Sequence, residues 1–248
     1  MSIRQSIIRL LAAAILLAAA ALPAGAAKHF VNGRIAFTST RDGNSEIYVM
    51  NPNGGAQTRL TDDPAEDIDA AWSPDGTRIA FARLDRHGAV RTVHVMNADG
   101  SGDTALAFQG SRRPAWSPDG KQIAFDSFRD KDITAATEIY IMAADGTNQT
   151  RLTENDGSNF GPAWSPDGRS IAFTCQVDAP LGPGSICVMN PDGTGIRALT
   201  ENRRGVDLNP SFSPDGRKIV FERFETAVSV RRDVMIMFHR PASGSCAI

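Results

Sequence analysis

Short apolar runs separated by polar turn sequences make up the chain from about residue 28 onwards. The most regular run is a triplet that begins with isoleucine and ends with phenylalanine. It occurs at residues 35–37, 79–81, 123–125, 171–173 and 219–221. A polar stretch and a second apolar run follow each triplet, as at residues 46–50. Runs of this length, rich in β-branched and aromatic residues, predict β-strands rather than helices.

Turn sequences recur at fixed places between these runs. Ser-Pro-Asp-Gly precedes four of the triplets, at residues 73–76, 117–120, 165–168 and 213–216. The aromatic anchors that stand directly before these copies are Trp72, Trp116, Trp164 and Phe212, spaced 44, 48 and 48 residues apart. Asn-Gly or Asp-Gly follows the second apolar run in four of the five units, and both dipeptides favour tight hairpin turns.

The repeated unit therefore contains four short strands, of which the fourth is a brief run such as residues 59–61. Four antiparallel strands in every 40 to 50 residues or so are typical of a propeller blade. Because one blade has two apolar faces, blades must stack around an axis. We predict an all-β fold, a β-propeller of four-stranded antiparallel blades. Its five repeats form either five blades or an incomplete six-bladed ring.

The string Ala-Trp-Ser-Pro-Asp-Gly, with Ile-Ala-Phe, Glu-Ile-Tyr-Val-Met and Arg-Leu-Thr after it, resembles the propeller repeat of the periplasmic TolB family. It is also similar to the propellers of tricorn-type and prolyl-oligopeptidase-type proteases. The likeness covers roughly residues 28–240. It implies a six-bladed propeller preceded by an α/β domain, and we expect this chain to lack that N-terminal domain. Because propellers host many activities, the resemblance indicates the fold more strongly than the function.

The first 27 residues have the pattern of a secretory signal peptide. Two arginines precede an apolar stretch at residues 10–22, and the Ala-Gly-Ala at residues 24–26 offers a cleavage site. A retained membrane anchor is the alternative, but the stretch is shorter than the roughly 20 residues that a spanning helix needs. We expect cleavage near Ala26 or Ala27. The expected domains are a signal peptide at residues 1–27 and a TolB-like propeller at residues 28–248.

Export has consequences for the partners. Losing two arginines and no acidic residue moves the formal net charge from −2 to −4, which argues against nucleic acid as a partner. No stable membrane span is expected after cleavage. The protein is therefore expected to be periplasmic or secreted.

An exported protein meets an oxidising compartment, which makes its three cysteines candidates for disulfide formation. The hairpin register inferred from the first unit places Cys175 and Cys187 on one face, diagonal to each other. We predict a disulfide between them, and two buried free thiols are the alternative. Cys246 is left over in the C-terminal tail.

Catalytic and metal-binding patterns are sparse. The chain has no Gly-x-Ser-x-Gly sequence, and its four histidines fall in different units, so we expect no catalytic residues. It also has no His-x-x-x-His or Cys-x-x-Cys pair, so we expect no metal ligands. The acidic residues Asp62, Asp63, Glu66, Asp67 and Asp69 could bind calcium, although a solvated loop is the favoured interpretation. Calcium is the cofactor kept as an alternative to none.

Variable polar segments precede the aromatic anchors. In a propeller, such segments connect the outer strand of one blade to the inner strand of the next and surround the channel mouth. The candidate binding residues in them are Asp67, Asp69, Arg112, Arg113, Asn159, Phe160, Asp207 and Asn209. Their charges are expected to be solvated and of both signs, which suits a mixed-charge ligand such as a peptide terminus. Merely exposed, unconstrained loops are the alternative.

These patterns leave three functional hypotheses. The favoured one is an exported, non-catalytic propeller that binds a protein or peptide partner in the cell envelope. The second is an envelope hydrolase or lyase that acts on a peptide or polysaccharide at the channel mouth. The third is a sensor or scaffold that binds a small molecule or calcium.

Overall fold

The computed structural model of the chain describes eight segments of strands and turns. They are residues 33–85, 91–107, 110–130, 136–154, 157–176, 184–201, 205–225 and 231–239. The predicted signal peptide, its cleavage site and Cys246 lie outside these segments. Every regular element within them is a β-strand, and none is a helix long and apolar enough to cross a membrane.

The described strands fall into five successive units. Unit one contains β1 (Ile35–Ser39), β2 (Glu46–Met50) and β3 (Thr58–Arg59). Unit two contains β4 (Glu66–Trp72), β5 (Arg78–Leu84), β6 (Arg91–Asn97) and β7 (Thr104–Ala107). Unit three contains β8 (Arg112–Trp116), β9 (Gln122–Ser127), β10 (Glu138–Ala143) and β11 (Thr150–Arg151). Unit four contains β12 (Asn159–Trp164), β13 (Ile171–Gln176), β14 (Gly184–Met189) and β15 (Arg197–Ala198), and unit five contains β16 (Gly205–Phe212), β17 (Lys218–Glu225) and β18 (Arg231–Phe238).

Within each unit the strands pair antiparallel in chain order, as propeller blades do. The four strands of unit two form one sheet, those of unit three form another, and unit four repeats the same order. A parallel bridge between Gly184 and Val206 joins the sheets of units four and five. In unit one Phe37 lies opposite Tyr48, as the turn sequence predicts. The all-β propeller fold is therefore confirmed.

The Ser-Pro-Asp-Gly turns are closed by their own side chains. Ser73 Oγ donates to Asp75 Oδ1 at 2.6 Å, and the backbone N of Thr77 donates to the same Asp75 oxygen at 3.0 Å. Gly76 has φ 68°, a left-handed conformation that glycine adopts at little cost. The same two carboxylate contacts recur at Asp119, Asp167 and Asp215. The recurring aspartates thus stabilise turns, as their position predicts.

A buried glutamate ties the last two strands of the unit together, β2 to β3 in unit one and β10 to β11 in unit three. Glu46 is fully buried and accepts from Arg59 at 2.7 Å and from Thr61 Oγ1 at 2.5 Å. Glu138 repeats both contacts with Arg151 and Thr153. Because a buried carboxylate must be paired and hydrogen-bonded, Glu-Ile-Tyr and Arg-Leu-Thr recur together in the sequence.

The hydrophobic core lies between the blades. Each blade has a front face, which meets the next blade in the chain, and a rear face, which meets the preceding one. In unit two, Ile79 and Phe81 lie on the rear face and pack against Ile47 of unit one. Val93 and Val95 lie on the front face and pack against unit three. Two further clusters repeat this packing between units three and four and between units four and five.

The four aromatic anchors end the first strands of units two to five. Trp116 is only 7% exposed, whereas Trp72, Trp164 and Phe212 are half-buried. The four equivalent positions are therefore buried to different degrees. Arg78 of the preceding blade lies 4.6 Å from the centre of the Trp116 ring and shields it from solvent.

Truncating the buried anchor should destabilise the fold more than truncating a half-buried one. We expect Trp116→Ala to lower the free energy of unfolding by about 3–5 kcal/mol, because it leaves a cavity between blades. Trp72→Ala should cost less. Denaturant unfolding of both variants measures the difference, and an equal or larger loss for Trp72→Ala would contradict the packing described.

Acid should weaken the Ser-Pro-Asp-Gly turns. Hydrogen bonds from Ser73 and Thr77 lower the pKa of Asp75 from 3.8 to about 2. A carboxyl whose pKa is lower in the folded state stabilises the fold above its unfolded pKa, and this contribution is lost as the pH falls through the folded pKa. We expect the free energy of unfolding to fall between about pH 4 and about pH 2. Asp75→Asn should reduce that decline in denaturant titrations, and an unchanged decline would argue against this role.

Candidate functional site

The segments that the sequence places in connecting loops belong to strands in the structure. The four candidate segments lie in the first strands of their blades, β4, β8, β12 and β16. These first strands contact one another in chain order, so they form the inner wall of the propeller. The prediction that these segments are connecting loops between blades is therefore wrong. Each strand is interrupted by a bulge, which breaks the alternation of polar and apolar residues by which a strand is recognised.

The bulge occurs three residues before the aromatic anchor in every blade from unit two to unit five. The residues at this position are Asp69, Arg113, Gly161 and Asn209, with φ 59°, 49°, 64° and 53°. The pairing with the second strand shifts register at the same point. Glycine, asparagine and aspartate tolerate this left-handed backbone, whereas arginine is strained in it. The strain at Arg113 makes this residue a candidate for function.

The four bulges surround a cavity of about 220 Å³ where the first strands meet. Its lining consists of each bulge residue and the residue after it: Asp69, Ala70, Arg113, Pro114, Gly161, Pro162, Asn209 and Pro210. Three of the eight are prolines, whose fixed φ makes the wall rigid. The cavity can therefore hold a small polar group against Asp69, Arg113 and Asn209.

Two of the predicted binding aspartates are buried in ion pairs. Asp67 is fully buried, and Arg83 donates to its two oxygens at 2.7 and 2.8 Å. Asp207 is also fully buried and makes the same bidentate contact with Arg223, at 2.8 Å for each bond. Burial raises the pKa of Asp67, and Arg83 opposes that effect. The expectation that these charges are solvated is wrong, because the neighbouring strand supplies an arginine to each.

Arg112 is engaged by a buried carboxylate that the sequence analysis did not select. Its Nε donates to Asp126 of β9 at 2.7 Å, and Asp126 is fully buried. Asp126 also accepts from the backbone N of Gly161, in the next blade, at 3.1 Å. Arg113 lies 3.5 Å from the same carboxylate. Asp126 thus joins two blades beside the cavity, and its position in a second strand hides it from an analysis of first strands.

Unit four contributes a buried amide and an aromatic ring. Asn159 is fully buried, and its Nδ2 donates to Glu138 of the preceding blade at 2.9 Å. The guanidinium of Arg113 lies 5.1 Å from the centre of the Phe160 ring, a distance typical of a cation–π contact. Asn159 therefore ties blades together, whereas Phe160 supports an arginine that lines the cavity.

Asp69 and Arg91 carry charges that no other described side chain neutralises by a hydrogen bond or ion pair. Arg91 begins β6, and its carbonyl accepts from the backbone N of Ser111 at 3.1 Å, which places it beside the start of β8. Burial raises the pKa of Asp69 and lowers the pKa of Arg91. The positive charges of Arg112 and Arg113 lower the pKa of Arg91 further, whereas Asp69 and Asp126 raise it. Arg113 in turn lowers the pKa of Asp69 and opposes the effect of burial.

The structure therefore divides the predicted site residues. Asp69, Arg113 and Asn209 line the cavity, with Phe160 behind Arg113. The remaining four are held in contacts within or between blades: Asp67, Arg112, Asn159 and Asp207. Arg91 is not part of the cavity lining, but it lies close enough to Asp69 and Arg113 for their charges to act on it, and no spacing in the sequence reveals it. Guanidinium groups bind carboxylates through paired hydrogen bonds, and Asp69 can accept a cation, so the site suits a ligand of mixed charge.

The acidic stretch considered for calcium is neutralised mainly by arginines. Arg59 lies 2.7 Å from Asp62, and Arg83 lies 3.7 Å from Asp63 and 2.7 Å from Asp67. Within the described segments, no group of three or more histidine, cysteine, aspartate or glutamate side chains is arranged to hold a metal ion.

The cysteines of unit four lie across one hairpin. Cys187 is opposite Phe173 and Cys175 is opposite Ser185, so the cysteines are diagonal neighbours on β13 and β14. The structure joins them by a disulfide, with Cα atoms 5.8 Å apart, and both residues are buried. Formation of this bond in the exported protein stays a prediction.

The fold and its inner ring of bulged strands define a β-propeller of the TolB type. The family model described as the TolB beta propeller domain matches residues 25–134 and 113–226, so the chain belongs to this family. Over 129 residues it is 32% identical to the protein TolB homolog of Chlorobaculum tepidum and 36% identical to the Tol-Pal system protein TolB of Desulfosudis oleivorans. Each match covers 50% of this chain but only 27% of the relative's length.

A solved structure extends the likeness to nearly the whole propeller. The putative TolB from Agrobacterium tumefaciens superposes with a TM-score of 0.67 and 28% sequence identity. The superposition covers 79% of this chain and 71% of that one. The arrangement of successive blades described above is therefore shared with a solved member of the family.

The disulfide should make unfolding sensitive to reductant. Cys175 and Cys187 are 12 positions apart, and closing so short a loop should stabilise the fold by about 2–3 kcal/mol. We expect non-reducing peptide mapping of exported protein to find the two residues linked. Reductant should lower the free energy of unfolding of the natural chain and leave a Cys175→Ser, Cys187→Ser variant unaffected. Alkylation of both thiols without reductant would rule the bond out.

Proposed function

We propose that the chain is an exported, non-catalytic propeller that binds a protein or peptide partner in the cell envelope. The observation that supports this best is a pair of opposite charges, Asp69 in the cavity lining and Arg91 near it, neither of which has a hydrogen bond or ion pair to another described side chain. Together with Arg113 they favour a ligand that brings a carboxylate and a cation close together. A peptide terminus, or an extended segment with both charges, has that chemistry.

The energetics favour a binding role for these groups over a structural one. A charge that is partly removed from water is costly unless a partner compensates it. The other charges near the inner wall have such partners, as Asp67 has in Arg83 and Asp126 has in Arg112. Asp69 and Arg91 have no hydrogen bond or ion pair to another described side chain, and nearby charges such as that of Arg113 compensate the burial of Asp69 only in part. A ligand with a group of opposite charge for each would be attracted to both. Because these side chains are already partly removed from water in the free protein, binding would add less desolvation cost.

The envelope location rests on the signal-peptide pattern of residues 1–27 and on the family. The periplasm is the compartment that a TolB-type propeller with such an N-terminal segment would occupy. One relative is a Tol-Pal system protein, which suggests an envelope protein as the partner here.

Removing the cavity charges should weaken partner binding. The test variant is Arg91→Gln with Arg113→Asn, and Asp69→Asn tests the opposite charge. Asparagine suits position 113 because Asn209 has the same left-handed backbone in unit five. Arg112 is kept, so that Asp126 retains its ion pair. The partner is first captured from periplasmic extract, purified and then titrated against each variant. We expect it to bind each variant roughly tenfold more weakly, a loss of about 1.4 kcal/mol of binding free energy.

The matched control is Lys121→Gln with Arg169→Gln. The control also removes two positive charges, but from exposed positions. These positions directly follow the Ser-Pro-Asp-Gly turns, after the C-terminal ends of the first strands. The control should bind like the natural chain. Added salt should weaken binding of the natural chain more than that of the Arg91, Arg113 variant. Equal affinity of natural chain, variants and control would show that the cavity is not the binding site.

A further inference from the structure

The front face of unit five is uncovered in the described structure. Val234 and Ile236 of β18 are 74% and 67% exposed. By strand register they occupy the positions that Val93 and Val95 hold in unit two. Val93 is 0% exposed and Val95 is 7% exposed, because unit three packs against them. The same apolar surface is therefore buried inside the row of blades and open at its end.

The rear face of unit one is uncovered in the same way. Ile35 of β1 is 41% exposed, and Phe37 is half-buried. The isoleucines at the position of Ile35 in the other units are all 0% exposed: Ile79, Ile123, Ile171 and Ile219. The first blade thus presents the side-chain pattern that every later blade packs against its predecessor.

The two uncovered faces are complementary halves of one interface. Between units one and two, the front-face residues Ile47 and Val49 pack against the rear-face residues Ile79 and Phe81. Val234 and Ile236 continue the front-face pattern, and Ile35 continues the rear-face pattern. The exposure of all three shows that, among the described residues of one chain, the two faces do not cover each other.

We propose that the front face of unit five docks onto the rear face of unit one of a second copy of this chain. The partner is identified by continuity with the interface that already recurs four times between blades. Two different surfaces meet in such a contact, so it is heterologous, and each added copy presents a new uncovered face. Self-association should therefore rise with concentration and pass beyond a dimer. The proposal rests on blade packing and is independent of the ligand of the cavity.

The first experiment is sedimentation velocity of the full-length chain over a range of concentrations. The front-face variant is Val234→Asp with Ile236→Asp, and the rear-face variant is Ile35→Asp. Ile196→Asp is the matched control, since Ile196 is 49% exposed but lies near β15, away from both faces. We expect the natural chain and the control to self-associate alike. Each face variant should self-associate more than tenfold more weakly. Circular dichroism and thermal unfolding verify that the variants fold.

The second experiment mixes the two face variants, each carrying a different fluorophore. The front-face variant keeps an intact rear face, and the rear-face variant keeps an intact front face. A heterologous interface therefore predicts energy transfer in the mixture and a complex that stops at one copy of each. A natural chain that stays monomeric at every concentration would overturn the proposal. So would association that survives both substitutions, or folded variants that fail to pair when mixed.

Discussion

A blade of this protein has two apolar faces and can cover neither by itself, and this constraint organises the whole chain. Ile79 and Phe81 are fully buried only because unit one lies against them, and Val93 is buried only because unit three does. Since each interface must receive the same shape, the sequence repeats at an interval of 44 to 48 residues. Stability is therefore shared between neighbours, as in other repeat proteins, rather than held in one central core.

Within each blade, the same structural position can be satisfied by different chemistry. Tyr48 lies under the Arg41 guanidinium at 4.6 Å, whereas His94 at the equivalent place contacts Asp103 at 2.7 Å. Cys187 fills that place in unit four and is joined to Cys175. In all three units, the side chain at this position makes a specific contact with another side chain of its own blade. The position occupied by Tyr48, His94 and Cys187 thus needs a side chain that contacts its own blade, but different residue types can provide that contact.

Much of this fold could be predicted from the sequence because its signals are local. Turn sequences give the hairpins, and the Phe37–Tyr48 register gives the diagonal placement of Cys175 and Cys187. The candidate site was less predictable because its determinants are distant. Asp67 is neutralised by an arginine 16 positions away on the next strand, and nothing local reveals that pairing. The bulges also hid the parts of the first strands that precede the aromatic anchors, since they interrupt the alternation on which strand prediction depends.

At the inner wall, the bulge recurs in every first strand from unit two to unit five, whereas the residue at the bulge differs. This contrast distinguishes what the fold requires from what a binding site would require. All four first strands form the same bulge, so the bulge belongs to the framework, and glycine or asparagine serves it well. Arginine serves it poorly, yet Arg113 is held there by Phe160 and sits near Arg91 and Asp69. A framework that needed only a left-handed residue has no requirement for a strained arginine at this position. The function proposed above would account for the arginine, because a ligand of mixed charge at the cavity would supply partners for Arg113, Arg91 and Asp69.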